Sequence, residues 1–116
     1  MPDVYCPQEL LKDIFKRLLD NSVRFSGKTK VNIWVCSEVK DQTAEFTFED
    51  DGVGVDGAYL EKIFGVFERL LDRGNYPGNG MGLAICRKTV ELHGGRIWAQ
   101  RSVKGGLAVK FTMKAV

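Results

Sequence analysis

Chemistry is concentrated first at Asp50-Asp51-Gly52-Val53-Gly54. An alternating apolar stretch ends there in a carboxylate, and two glycines spaced by one residue follow. The pattern offers a fixed hydrogen-bond acceptor beside backbone that another group can approach closely. A buried carboxylate of this kind suits the exocyclic amine of adenine; a solvated Asp-Gly turn is the plain alternative. The second pattern, Gly78-Asn79-Gly80-Met81-Gly82, runs directly into a helix from Leu83. Alternate glycines let backbone N–H groups converge, and a helix N-terminus favours anions, so the pattern suits phosphate. It lacks the Lys and Ser or Thr of a GxxxxGK[ST] loop, and no apolar strand leads into it as in a dinucleotide fingerprint. A flexible surface loop is its alternative. The third pattern is helical: Asn21 and Arg24 are three apart, and Arg17 lies four residues before Asn21 on the same face. An amide oxygen and a guanidinium so aligned could meet Mg²⁺ and triphosphate oxygens, where the alternative is a solvated polar face.

These groups need a scaffold, and the periodicity supplies one. Leu10, Leu11, Ile14, Phe15, Leu18, Leu19 and Val23 recur at helical spacing, which predicts a helix over Gln8 to Phe25, stopped by Ser26-Gly27. Lys30 to Ser37 and Thr43 to Glu49 alternate as strands, joined by a polar turn at Lys40-Asp41-Gln42. A short helix is predicted over Tyr59 to Phe67, ending near Leu70, then a glycine-rich loop over Leu71 to Gly82. A helix from Leu83 to Leu92 ends at His93-Gly94-Gly95. Closing strands at Arg96 to Gln100 and Leu107 to Lys114 flank a turn at Lys104-Gly105-Gly106. The expected fold class is α+β, a two-layer sandwich with a mixed, mostly antiparallel sheet packed against about three helices.

Composition narrows the function. The 116 residues fit one domain, and a net charge of +2 with scattered basic residues argues against nucleic acid. No apolar run is long enough for membrane insertion, and no secretion signal is visible, so a cytoplasmic placement is expected. Cys6, Cys36 and Cys86 are odd in number and far apart, which reads as reduced thiols and gives no metal-site spacing.

The order of these patterns resembles the ATP-binding (Bergerat-fold) domain of the histidine kinase, gyrase, Hsp90 and MutL superfamily, and within it the sensor histidine kinases. Leu18 to Phe25 resembles the N box, Asp50 to Gly54 the G1 box, Ile63 to Leu70 the F box and Gly78 to Cys86 the G2 box. Tyr76-Pro77-Gly78 and the run from Val90 to Trp98 are similar to phytochrome-type kinases. The resemblance spans nearly all of residues 1–116 and implies ATP and Mg²⁺ as cofactors. It implies Asp50 on the adenine amine, Gly52 and Gly54 making room for the base, and Phe25 packed near adenine. Asn21 becomes the Mg²⁺ ligand and Arg24 a phosphate contact. Phe64 and Phe67 anchor an ATP lid around residues 68–80. Gly78, Gly80, Gly82 and Leu83 lie on the phosphate side, and Arg69, with Arg73 near it, supplies a cation. The implied reaction is phosphoryl transfer to a histidine on a separate dimerisation domain, absent from this sequence, which passes the group to a response regulator. The fragment itself is expected to be a monomer. His93 is expected to be a structural helix-end residue and not the phosphoacceptor.

Three departures stand out. Arg17 occupies a position where the family usually has Asn or Glu, and arginine neither accepts a proton nor ligates a metal. Lying one turn before Asn21, it is expected near the metal and phosphates, and a module that binds ATP with weak or no transfer is the alternative it raises. The last turn keeps Gly106 but has Lys104, Leu107 and Ala108 where the family commonly has another glycine and a Ser or Thr. Cys6 replaces a common carboxylate.

A lid makes a direct expectation. Backbone amide exchange across Leu71 to Asn79 should slow when Mg²⁺ and a non-hydrolysable ATP analogue are added, because a closed lid shields reacting phosphates from water. Equal exchange with and without saturating ligand would remove the lid assignment.

Overall fold

A computed structural model describes residues 2–25, 30–54, 57, 60, 62–64 and 82–116. The expected lid at 68–80, and with it Phe67, Arg69, Arg73, Gly78 and Gly80, lies outside the described residues, as do the side chains of Arg24 and Phe25. The elements run α1 (Gln8–Phe25), β1 (Ile33–Lys40), β2 (Thr43–Asp50), α2 (Gly82–Leu92), β3 (Ile97–Arg101) and β4 (Leu107–Lys114), with a 3-10 turn at Lys62–Phe64 before α2. The strands form one sheet in the order β1-β2-β4-β3, and every described pairing is antiparallel. Helices on one face of this sheet give the expected two-layer α+β sandwich.

Alternation decides which side chains enter the core. Ala44, Phe46, Phe48 and Asp50 of β2 are buried, while their neighbours Glu45, Thr47 and Glu49 are half-buried on the opposite face. Across the ladder, Phe46 faces Phe111 and Phe48 faces Val109. The Phe46 and Phe111 rings stack at 4.8 Å, and Phe15 from α1 meets both edge-on. Ile14 and Leu18 of α1, Leu83, Cys86 and Val90 of α2, and Ile63 and Phe64 of the 3-10 turn complete this core.

Two expectations shift. The first strand runs three residues later than the Lys30 to Ser37 reading, because its register follows the two-residue turn Asp41-Gln42, which pairs Lys40 with Thr43. Both turn residues have positive φ, 52° and 65°. β1 is an edge strand, so Ser37, Glu38 and Lys40 remain in water while Val35 and Val39 are exposed rather than buried. On α1, Leu10, Leu19 and Val23 are likewise exposed; the buried stripe is narrower than the full apolar pattern.

The end of α2 follows its residues closely. Gly94 takes φ 78°, its N–H donates to the Glu91 carbonyl, and the Gly95 N–H donates to the Val90 carbonyl. These paired bonds satisfy carbonyls that the helix would otherwise leave open. A Cβ on Gly95 would collide with the Thr112 backbone, so this glycine lets the helix exit press against β4. His93 caps the same end: its Nδ1–H donates to the Thr89 carbonyl at 2.8 Å.

Burial also fixes the thiols. Cys86 is fully buried, with Sγ 3.9 Å from the Ile14 carbonyl, and desolvation pushes its thiol from 9.0 up to about 12. A raised folded-state value means its stabilising contribution is complete below about pH 9 and is lost as pH climbs toward 12. Thiol labelling of the native protein at pH 8 should therefore modify exposed Cys36 and spare Cys86 until denaturant is added. Prompt native labelling of Cys86 would contradict this packing.

Candidate nucleotide site

The site forms where β2 runs out. Asp50 is the last residue of the strand and points to the helix-covered face, where it is 2% exposed. A buried carboxylate needs donors, and two backbone groups provide them. The Gly52 N–H donates to Oδ1 at 3.0 Å, and the Leu107 N–H donates to the same oxygen at 3.1 Å. Among the described residues, the other oxygen, Oδ2, accepts no hydrogen bond. A buried acceptor with one oxygen committed and one open fits a ligand that brings its own donor.

Asp51, next to it, has a different task. Its Oδ1 accepts the Asn32 backbone N–H and its Oδ2 the Asn32 side-chain amide, each at 2.9 Å. This pair ties the start of β1 to the residue after β2. Of the two adjacent aspartates, Asp50, the one that the family resemblance implied, is the buried one.

The glycines around Asp50 meet one another. Gly54, at φ 75°, is in a conformation that favours glycine, and a Cβ there would lie 3.2 Å from the Gly106 carbonyl oxygen. A Cβ on Gly106 would collide with Asp50 Oδ1 and crowd the Asp50 carbonyl and Gly52 nitrogen. Gly52 is itself buried. The turn between β3 and β4 therefore closes on Asp50, and Gly106 is what admits it. Sequence reasoning treated this turn as a departure and missed its contact with Asp50. The available signal was Gly105-Gly106 directly before an apolar strand.

The remaining expected residues are distributed along the helices. Asn21 is half-buried on α1, between buried Leu18 and buried Ser22 in sequence. Gly82 opens α2, where a Cβ would meet no described residue within 4 Å. The Leu83 side chain belongs to the core, which leaves its backbone as the part able to face a ligand. Phe64 is also a core residue, with the Arg87 guanidinium 5.9 Å from its ring centroid.

Arg17 departs from expectation. Its Nε donates to Asp13 Oδ2 at 2.8 Å, one turn toward the helix start and away from Asn21. Both charges act on the Cys86 thiol, which places the pair along the seam between α1 and α2. The physical reason is local: a carboxylate four residues earlier captures the guanidinium. Among the described residues no cluster of three or more His, Cys, Asp or Glu could hold a metal. A Mg²⁺ ion here would fit a site with one protein ligand, substrate phosphates and water, the arrangement that ion commonly adopts.

Comparison with known proteins agrees with this geometry. The profile of the histidine kinase-, DNA gyrase B- and HSP90-like ATPase family matches residues 6–116. The phytochrome-like protein Cph1 of Synechocystis sp. is 35% identical over 113 residues, covering 97% of this chain and 15% of that protein. The signal transduction histidine-protein kinase BaeS of Escherichia coli is 35% identical over 114 residues, covering 94% of this chain and 24% of its own length. The chain thus spans less than a quarter of these relatives. Among solved structures, the catalytic domain of histidine kinase ThkA aligns with a TM-score of 0.80 at 26% identity, covering 96% of this chain and 70% of that one.

The glycine junction can be tested without ligand. Gly106→Ala should destabilise the domain by about 1–3 kcal/mol, because the obstructing atoms are backbone and a carboxylate that cannot swing away. Gly57→Ala, whose Cβ would meet nothing within 4 Å, should stay within about 0.5 kcal/mol of wild type. Denaturant unfolding of both variants makes the comparison, and equal stabilities would refute the close approach.

Proposed function

The chain belongs to the histidine kinase-, DNA gyrase B- and HSP90-like ATPase family, and from that membership we propose a specific role. It is the ATP-binding catalytic domain of a two-component sensor histidine kinase, and it directs the γ-phosphoryl group of Mg-ATP to a histidine on a separate dimerisation domain. The observation that carries this reading is Asp50, buried with Oδ1 held by two backbone N–H groups. Oδ2 then receives the adenine amine. Guanine offers a carbonyl at that place, which faces the carboxylate with a like partial charge.

Around this anchor the other roles follow from the boxes. Asn21 ligates Mg²⁺, Arg24 contacts phosphate and Phe25 packs near the base. Phe67 holds the base of the lid, Gly78, Gly80, Gly82 and Leu83 present backbone to the phosphates, and Arg69 neutralises charge during transfer. Bound Mg²⁺ supplies charge neutralisation on the phosphate oxygens. The protein's contribution is to position the nucleotide and exclude water. The phosphorylated domain and a response regulator are the partners, and a cytoplasmic setting suits a nucleotide-fed reaction. No described helix is long and apolar enough to cross a membrane.

Binding of ATP without transfer was the alternative raised by Arg17. The Arg17–Asp13 pair engages the guanidinium one turn away from Asn21, so the arginine does not crowd that residue, but it puts no Asn or Glu in the place where the family usually has one. Adding a histidine-bearing acceptor domain at saturating Mg-ATP separates the two, because a pure binding module phosphorylates nothing.

Nucleotide titration tests the anchor. ATP and ADP with Mg²⁺ should bind well ahead of guanine nucleotides, and Asp50→Asn should cost about 2 kcal/mol or more. The two N–H groups at Oδ1 select the oxygen of an asparagine amide, so its NH₂ must take the other position and confront the adenine amine as a second donor. Equal affinity for ATP and GTP, or an unchanged D50N, would sink the adenine assignment.

A further inference from the structure

The connection between β3 and β4 is held from both faces of β2. Asp50 grips it from the helix side through the Leu107 N–H. Glu49, the preceding residue, faces the opposite side of the sheet and grips it through Ser102, whose hydroxyl donates to Glu49 Oε2 at 2.7 Å. The same Ser102 oxygen accepts the Lys104 backbone N–H at 2.9 Å. The Ser102 N–H donates to the Gly106 carbonyl at 2.9 Å, and the Gly105 N–H donates to the Ser102 carbonyl at 3.0 Å. Outside these bonds, Lys104 Nζ sits 4.5 Å from the centroid of the Trp34 ring on the same sheet face. Ser102 is the hub: its hydroxyl must donate to the carboxylate and accept from the turn at once, which only a hydroxyl side chain of this size can do.

We propose that Ser102 and Glu49 are positioning residues for nucleotide recognition, acting through the turn they hold. They keep the Leu107 N–H on Asp50 Oδ1, so the carboxylate cannot rotate and keeps Oδ2 for the base. Neither residue touches the nucleotide. Their bond is part-buried on the sheet face that no described helix covers, so the affinity of the buried site depends on a contact behind it. This inference rests on the reading of Asp50 as the adenine acceptor.

The test uses the 116-residue chain and two readouts, exchange of the Leu107 amide without ligand and affinity for a Mg²⁺-bound non-hydrolysable ATP analogue. S102A and E49A should each speed Leu107 exchange by about tenfold and weaken analogue binding about fivefold or more, while keeping cooperative unfolding. S102T retains both hydrogen-bonding roles and should restore wild-type values. The double variant S102A/E49A should be no worse than either single one, as expected for a shared bond. If S102A proves unstable, E49Q keeps an acceptor without the charge and should give a smaller loss in the same direction. Wild-type affinity in S102A, or faster Leu107 exchange with unchanged affinity, would overturn the positioning role while leaving the adenine reading intact. A wild-type chain that binds no adenine nucleotide would instead overturn the reading beneath it.

Discussion

A carboxylate that is 2% exposed must be satisfied by the protein itself, and that requirement organises this fold. Left without donors, Asp50 would cost several kcal/mol. Both donors follow it in the chain: Gly52, two residues on, and Leu107, from the last strand. Bringing Leu107 to the end of β2 sets the β2–β4 register, with Glu49 beside Ala108. It also forces the preceding turn against the strand end so tightly that Gly106 admits no side chain. Placement of the acceptor and placement of the sheet's central pair are one constraint. Both lie at the strand end where we place the nucleotide.

Much of this was legible in the residues. The helix over Gln8 to Phe25 and the strand over Leu107 to Lys114 have the bounds that periodicity and their terminators indicate. His93-Gly94-Gly95 ends α2 as a glycine cap should. The family resemblance singled out Asp50 over Asp51, and the strand, one residue longer than its alternation indicated, buries it in phase with Ala44, Phe46 and Phe48. What was not legible depended on tertiary neighbours. Val35 and Val39 alternate like core residues, yet their strand lies at an edge, which composition does not encode. The role of Gly106 required knowing that residues 57 positions apart meet. The pairing of Arg17 with Asp13 needed only helical spacing, and the choice between Asp13 and a phosphate was a competition that family likeness had weighted the other way.

The seam between α1 and α2 shows how a substitution can be absorbed. Asp13, Arg17 and Asn21 follow one another a turn apart, with Cys86 buried against the Ile14 carbonyl beside them. An arginine without Asp13 would bring a free positive charge to this seam. With Asp13 the pair is internally balanced and partly solvated, as such helical pairs usually are. The acidic partner balances the arginine's charge within the helix itself.

The bond between Asp50 and Leu107 also has a history during synthesis. Ribosomes add about 5–20 residues per second, and 57 positions separate the two residues. Asp50 therefore waits about 3 to 11 s for its partner, hydrated in the meantime, because β4 is the last strand to emerge. The long loop makes this closure entropically slow as well. A ribosome-bound chain lacking β4 has Asp50 but not the Leu107 N–H that holds its Oδ1. Only synthesis through β4 completes the donor set around Asp50, and until then Phe46 and Phe48 lack the β4 partners Phe111 and Val109 that they face in the sheet.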